Sequence, residues 1–279
     1  MQAGTMACGR CAGKPATAPE APRRPASCKR GVPSDGLHSH SEPMTDGRPI
    51  LVCGGTQGTG ELIARRLLAS GHGVRVLART PAKAREKLGD RVEIIEGDVT
   101  KPASLPAAIE GAGHILYTIG IPRRFAGSEA VRRTVLDGTL NTLEAARKAR
   151  LPGRFMYMSA LGTTRGSWLG ALLNLIKGDT LKLRREVERE IRASGITHTI
   201  IHAGILLNVA AGQRPVEISQ EALPLRPRYR IARADVAEVF VRAMKHPAAA
   251  NATFDVVWAR RGADPGPIDA QLSRLSPDG

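Results

Sequence analysis

The sequence predicts a doubly wound α/β fold, a parallel sheet with helices on both faces, and three observations carry that expectation. From Pro49 onward, strand-like and helix-like stretches alternate. The strand-like stretches are continuous apolar runs, as expected when helices cover both faces of a parallel sheet. The first run, Ile50 to Cys53, leads at once into glycines at 54, 55, 58 and 60 and then into the helical spacing of Leu62, Ile63, Leu67 and Leu68, the strand, glycine turn and helix that open such folds.

Strands are expected at 50–53, 74–78, 92–96, 114–119, 154–159, 197–202 and 252–257, and helices at 61–70, 81–88, 104–110, 128–149, 180–193 and 234–245. Helix 128–149 should bury Val135, Leu140, Leu143 and Ala146, and helix 180–193 should bury Leu183, Val187 and Ile191. On the second of these, Lys182–Glu186 and Arg184–Glu188 stand at ion-pair spacing and read as a solvated face. Residues 1–48 are rich in Ala, Pro, Gly, Ser and Arg without hydrophobic period and read as a disordered extension. Met44, just ahead of the first strand, is an alternative start, which N-terminal sequencing of the native protein would decide. Residues 49–258 form one domain, and 259–279 read as a C-terminal tail. Segments 162–178 and 208–227 follow strand ends without a regular period, and are expected to form a small substrate-covering region. Trp168, Leu169, Leu172, Leu173, Leu175 and Ile176 make the first of them apolar, read as core or contact in preference to a lid.

At 279 residues and 42% hydrophobic, the chain can bury a full core. No apolar run approaches the ~20 residues of a membrane helix, and the protein is expected in the cytoplasm. Lys and Arg number 41 against 26 acids, a net charge of +15, which suits a polyanion, an acidic membrane surface or a phosphorylated cofactor. The few aromatics do not interleave with the basic residues as a base-stacking platform requires, so nucleic acid is disfavoured. Cys53 reads as a small buried hydrophobe. Cys8, Cys11 and Cys28 share the N-terminal segment with His38 and His40, but Cys8-x-x-Cys11 has no second tight pair at ligand spacing. Neither a metal site nor a disulfide framework is expected.

Ligands of doubly wound sheets bind beyond the carboxyl ends of the strands. In Gly54-Gly55-Thr56-Gln57-Gly58-Thr59-Gly60, Gly54 makes the tight turn, Gly58 admits backbone N–H groups to a pyrophosphate, and Gly60 lets helix and strand pack closely. The phosphates would sit at the helix N-terminus. Nineteen residues beyond Gly60, where an NAD binder places an acid against the ribose 2′-hydroxyl, stands Arg79 followed by Thr80. A guanidinium there binds a 2′-phosphate that an acid would repel, so NADP is favoured over NAD. Asp98 is open to two readings, an acceptor for the adenine amino group while Val99 packs on the ring, or a helix cap. Gly120 lets the backbone lie against a ribose.

Together with Asp137-Gly138-Thr139-Leu140-Asn141, Arg154 to Gly162, Arg192 to Ile200 and Ile231 to Ala237, these stretches resemble the atypical, NmrA-like NAD(P)-binding branch of the short-chain dehydrogenase/reductase superfamily. The resemblance covers about residues 49–258 and implies a Rossmann-like fold with the glycine loop, Arg79, Asp98 and Ser159 near the cofactor. One departure bears on chemistry. The superfamily's Tyr-x-x-x-Lys pair is absent, because the residues four after Tyr117, Tyr157 and Tyr229 are Ile121, Leu161 and Arg233. Ser159, at the fifth strand's end, is the first candidate for polarising a substrate or carboxamide, and His202, where the family's Pro-Gly is replaced by Ala203-Gly204, is the second. An oxidoreductase passing hydride to a flavin-, quinone- or tetrapyrrole-like acceptor reconciles cofactor binding with the missing pair. The alternative is a non-enzymatic NADP(H) redox sensor that binds a partner protein.

Overall fold

The computed structural model describes residues 47–120, 127–176 and 179–279. Cys8, Cys11, Cys28, His38, His40 and Met44 lie outside them, as do the side chains of Leu173 and Ile176. The first half runs β1 (Ile50–Cys53), α1 (Gly58–Ala69), β2 (Val74–Ala78), α2 (Pro81–Leu88), β3 (Glu93–Glu96), α3 (Pro106–Ile109) and β4 (His114–Tyr117). The second continues α4 (Ser128–Arg132), α5 (Gly138–Lys148), β5 (Phe155–Ala160), α6 (Trp168–Ile176), α7 (Thr180–Ala193) and β6 (His198–Ala203). It closes with β7 (Ile205–Leu207), β8 (Val216–Ser219), β9 (Arg230–Ala232), α8 (Arg233–Lys245), β10 (Ala252–Trp258) and α9 (Ile268–Leu272).

The main sheet has the order β3-β2-β1-β4-β5-β6-β10-β8, and β7 pairs with β9 apart from it. Every pairing in the main sheet is parallel except β10 with β8. Strand order reverses between β1 and β4, which puts the switch-point crevice at their carboxyl ends. Alternation along the strands divides the core. Ile50, Val52, Val76, Met156 and Met158 share one cluster with Ile63, Leu67, Val236 and Phe240 of α1 and α8. Leu51, Cys53, Tyr117, Phe155 and Tyr157 share the other with Leu143, Val187 and Ile191 of α5 and α7.

Several expected elements differ in detail. The helix expected at 104–110 is a 3₁₀ turn, Pro102–Ser104, followed by α3, because Pro106 has no N–H to continue a helix and starts a new one. Helix 128–149 runs through, with a π-type turn at Arg133–Asp137 between α4 and α5. Strand β4 ends at Tyr117, short of the expected 119, and the N–H and hydroxyl of Thr118 both donate to the Cys53 carbonyl, at 2.9 and 3.0 Å. Segment 162–178 holds helix α6, which exposes Trp168 and Leu175 to solvent, so that face is not core. Segment 208–227 contributes β8, the sheet's antiparallel edge. Gln271 caps that edge by accepting from Ile218 N at 2.8 Å and donating to Val216 O at 2.9 Å, which removes two backbone groups that an edge strand would otherwise offer a neighbour. Residues 259–279 include α9, whose Leu272 is fully buried.

The turn after β1 needs its glycines for distinct reasons. Gly54 has φ +92°, and a Cβ on Gly60 would lie 2.2 Å from the Gly54 carbonyl oxygen. Gly60→Ala is therefore expected to cost about 1–3 kcal/mol or more of stability by overpacking. An unchanged denaturation midpoint would count against this close approach.

Candidate functional site

The glycine turn delivers the chain into α1, with Gln57 in extended conformation at its N-cap. The first N–H groups of a helix have no partner within it and are open to an anion. Gly58 has φ +59°, and the nearest atom to a Cβ built there is Arg233 Nη1, at 3.7 Å. Thr59 is buried beneath the turn, while Thr56 is half-buried. Arg79 is exposed just beyond the end of β2, with no hydrogen bond or ion pair among the described residues. Asp98 Oδ1 accepts from the N–H and the hydroxyl of Thr100, both at 2.9 Å. The Val99 side chain is buried and faces α5, where a Cβ on Gly138 would lie 2.7 Å from it.

The ends of β5, β6 and β10 carry a row of polar side chains. Ser159 stands opposite His202 in the β5–β6 register, and His202 opposite Asp255 in the β6–β10 register. Glu188 of α7 covers the row. Its Oε1 accepts from Ser159 Oγ at 2.5 Å and lies 3.1 Å from His202 Nε2, while His202 Nδ1 lies 2.8 Å from Asp255 Oδ1. Leu223 N–H donates to the other Asp255 oxygen at 2.7 Å, and Arg192 stands 3.7 Å from Glu188 Oε2. Ser159, Glu188, His202 and Asp255 are each at most 4% exposed. Burial alone would lower the His202 pKa, but the Asp255 and Glu188 carboxylates outweigh it and raise the value from 6.5 to about 9. At neutral pH His202 is an imidazolium whose two N–H groups each meet a carboxylate. Burial likewise opposes ionisation of Glu188, and His202, Ser159 and Arg192 hold its pKa below the usual value.

The expected pairs on α7 do not form. Lys182 pairs with Asp179 at 2.9 Å, and Glu188 turns inward. Arg184 also turns inward: it is 7% exposed, Nη1 donates to Met158 O at 2.8 Å and Tyr157 OH at 3.2 Å, and the guanidinium lies 5.9 Å from the Tyr157 ring centroid. It has no carboxylate partner among the described residues. A Cβ on Gly120 would lie 3.9 Å from Arg184 Nη2, so this cation reaches the end of β4. Ser159 and His202 are thus brought together, the glycine turn and Gly120 line the same sheet end, and Glu188, Asp255, Arg184 and Arg233 are the residues that reading the sequence missed. A signal for two of them was present. Leu181, Arg184, Glu188 and Ile191 recur at the spacing of one helix face, which places two charges on a core-facing stripe.

The strand order, with a glycine turn and a helix N-terminus at its switch point, defines a Rossmann-like dinucleotide-binding class of protein. The chain belongs to the NAD(P)H-binding family, whose match runs over residues 54–247. It is similar to sanguinarine reductase of Eschscholzia californica, 28% identical over 242 residues that cover 74% of this chain and 88% of that protein. It is also similar to a photosystem II assembly factor of Synechocystis, 26% identical over 216 residues, covering 76% of this chain and 63% of that protein. Among solved structures, a protein from Bacillus halodurans described as an NAD-dependent epimerase/dehydratase superposes with a TM-score of 0.70 at 21% identity, covering 82% of this chain and all of the other. An anaerobilin reductase of Escherichia coli O157:H7 superposes with a TM-score of 0.61 at 21% identity, covering 78% of this chain and all of the other. These two likenesses are of fold. The resemblance to atypical short-chain dehydrogenase/reductases holds, and among the described residues no helix is long and apolar enough to cross a membrane.

Proposed function

We propose that this chain is an NADPH-dependent oxidoreductase, acting in the cytoplasm, whose acceptor is a flavin-, quinone- or tetrapyrrole-like molecule that takes its proton from water. The observation that carries this reading is the state of the polar groups at the strand ends. No tyrosine–lysine pair exists, and Ser159 and His202 direct their protons to carboxylates inside the buried row, which leaves the Ser159 oxygen as an acceptor only. Arg184, a cation that among the described residues reaches Gly120 beyond β4, holds its protons too tightly to act as an acid. A hydride acceptor that needs no acid at the active site fits such a wall.

When bound, NADPH supplies the hydride. The N–H groups of Gly54, Thr56, Gln57, Gly58, Thr59 and Gly60 are read as the pyrophosphate cradle, and Arg79 as the contact to the 2′-phosphate, which favours NADP over NAD. Asp98 keeps Oδ2 for the adenine amino group while Thr100 holds Oδ1, and Val99 shapes the floor through its backbone. Gly120 and Arg184 border the nicotinamide ribose. Ser159 orients the reacting end, and His202 acts behind it by holding Glu188. On this reading Ser159→Ala lowers turnover ten- to a hundredfold, of order 1.4–2.7 kcal/mol in the barrier, and leaves NADPH affinity nearly intact. Equal rates at saturating cofactor would remove Ser159 from the chemistry.

The same absence of an acid favours a second reading, a redox sensor that binds NADP(H) without turnover and presents its surface to a partner protein. The relative that assembles photosystem II supports this alternative by analogy. Steady-state NADPH oxidation with a panel of flavins and quinones separates the two. Turnover supports the reductase, and tight binding without turnover supports the sensor.

A further inference from the structure

The cation that faces the glycine turn comes from the far side of the chain. Arg233 opens α8, and its Nη1 stands 3.4 Å from Thr59 Oγ1 and 3.7 Å from where a Gly58 Cβ would be. Its Nε donates to Asn208 Oδ1 at 2.8 Å, which fixes the plane of the fork. Among the described residues Arg233 forms no ion pair. The acid one turn into its own helix is already engaged: Asp235 Oδ1 accepts from Gly212 N at 2.8 Å, and Oδ2 from Trp258 Nε1 at 2.7 Å. The acid in the first turn of α1, Glu61, is held by Arg65 at 3.0 Å.

Helices α1 and α8 pack together, and the Arg233 guanidinium at the start of α8 lies over the start of α1. A helix N-terminus carries roughly half a positive charge. That end and a guanidinium therefore converge on one small space, and among the described residues no carboxylate pairs with the guanidinium. A dianionic group between the two would relieve the repulsion and give the fork the partner it lacks.

We propose that Arg233 is the cation that clamps the dinucleotide's pyrophosphate against the glycine turn, with Asn208 holding it in place. This rests on the NADPH reading above, since family membership supplies the dinucleotide but not the residue that closes over it. The clamp divides the labour of the two arginines. Arg233 reads the pyrophosphate common to NADP⁺ and NAD⁺, and Arg79 reads the 2′-phosphate that only NADP⁺ carries.

The test is titration calorimetry of the full chain with NADP⁺, NAD⁺ and adenosine 2′-monophosphate, which lacks the pyrophosphate. Arg233→Ala should weaken both dinucleotides by the same factor, tenfold or more, and leave the monophosphate unchanged. Arg233→Lys keeps the charge without the fork and should recover part of the loss, and Asn208→Ala should show a smaller loss in the same direction. Thermal unfolding without ligand checks that each variant is folded, and Arg233→Gln, closer in size, serves if the alanine variant is not. Unchanged affinity for both dinucleotides overturns the clamp and leaves the cofactor reading intact. A loss confined to NADP⁺, or one shared by the monophosphate, also overturns it. Failure of the wild type to bind either dinucleotide overturns both.

Discussion

His202→Leu is expected to cost about 3–5 kcal/mol of folding stability, because it strips the shared partner from two buried carboxylates at once. Asp255 Oδ1 is left without the imidazole that lies 2.8 Å away, and Glu188 keeps only Ser159 and the more distant Arg192. At about 2–4 °C per kcal/mol for a domain of this size, the melting temperature should fall visibly. The wild type should also lose stability as the solution becomes basic. His202 has a folded pKa raised to about 9 from 6.5, so its contribution is fully present below the unfolded value and disappears as pH rises through the folded one. The change is about 3 kcal/mol. The leucine variant should lack this decline and should gain stability on acidification, when its unpaired carboxylates can take up protons. Chemical denaturation of both proteins at several pH values is the check, and parallel curves would refute a buried imidazolium.

Arg79→Asp should invert the choice of cofactor. The wild-type guanidinium is exposed at the end of β2, so the change costs the fold little and acts on the ligand. Loss of a charge-assisted contact costs about 1.5–3 kcal/mol before any repulsion is added, which lowers NADPH affinity at least tenfold. The aspartate can instead accept a hydrogen bond from the 2′-hydroxyl of NADH. Calorimetry with the two reduced cofactors measures this directly, and an unchanged preference would refute the role given to Arg79.

What was legible in the sequence was local. The strand runs, the glycine spacing and the helical stripe of Leu183, Val187 and Ile191 depend on neighbours within a turn or a strand, and each stands within one or two residues of where its pattern placed it. Ser159 and His202 were legible one at a time as polar residues at strand ends. Their union was not, because it depends on the register of three strands and on the side of α7 that faces them. Arg184 and Glu188 show the limit most clearly, since a spacing of four describes a surface ion pair and a core-facing pair equally well. Only the packing of α7 against β5 and β6 turns both inward. Arg233 belongs to a late motif of the sequence, yet its meeting with Thr59 joins residues 174 apart. Strand β8 is four residues long, too short for its alternation to stand out from a loop.

On the proposed reading, hydride leaves NADPH here without a side-chain acid. The most direct measurement is single-turnover oxidation of bound NADPH by a quinone, followed through the loss of NADPH fluorescence between about pH 6 and 10, a range that spans an acid tuned near neutrality and His202, whose pKa is raised to about 9. The account predicts oxidation at a rate that does not change across that range. No oxidation by any acceptor in the panel, or a rate that falls as a single group loses its proton, would contradict it.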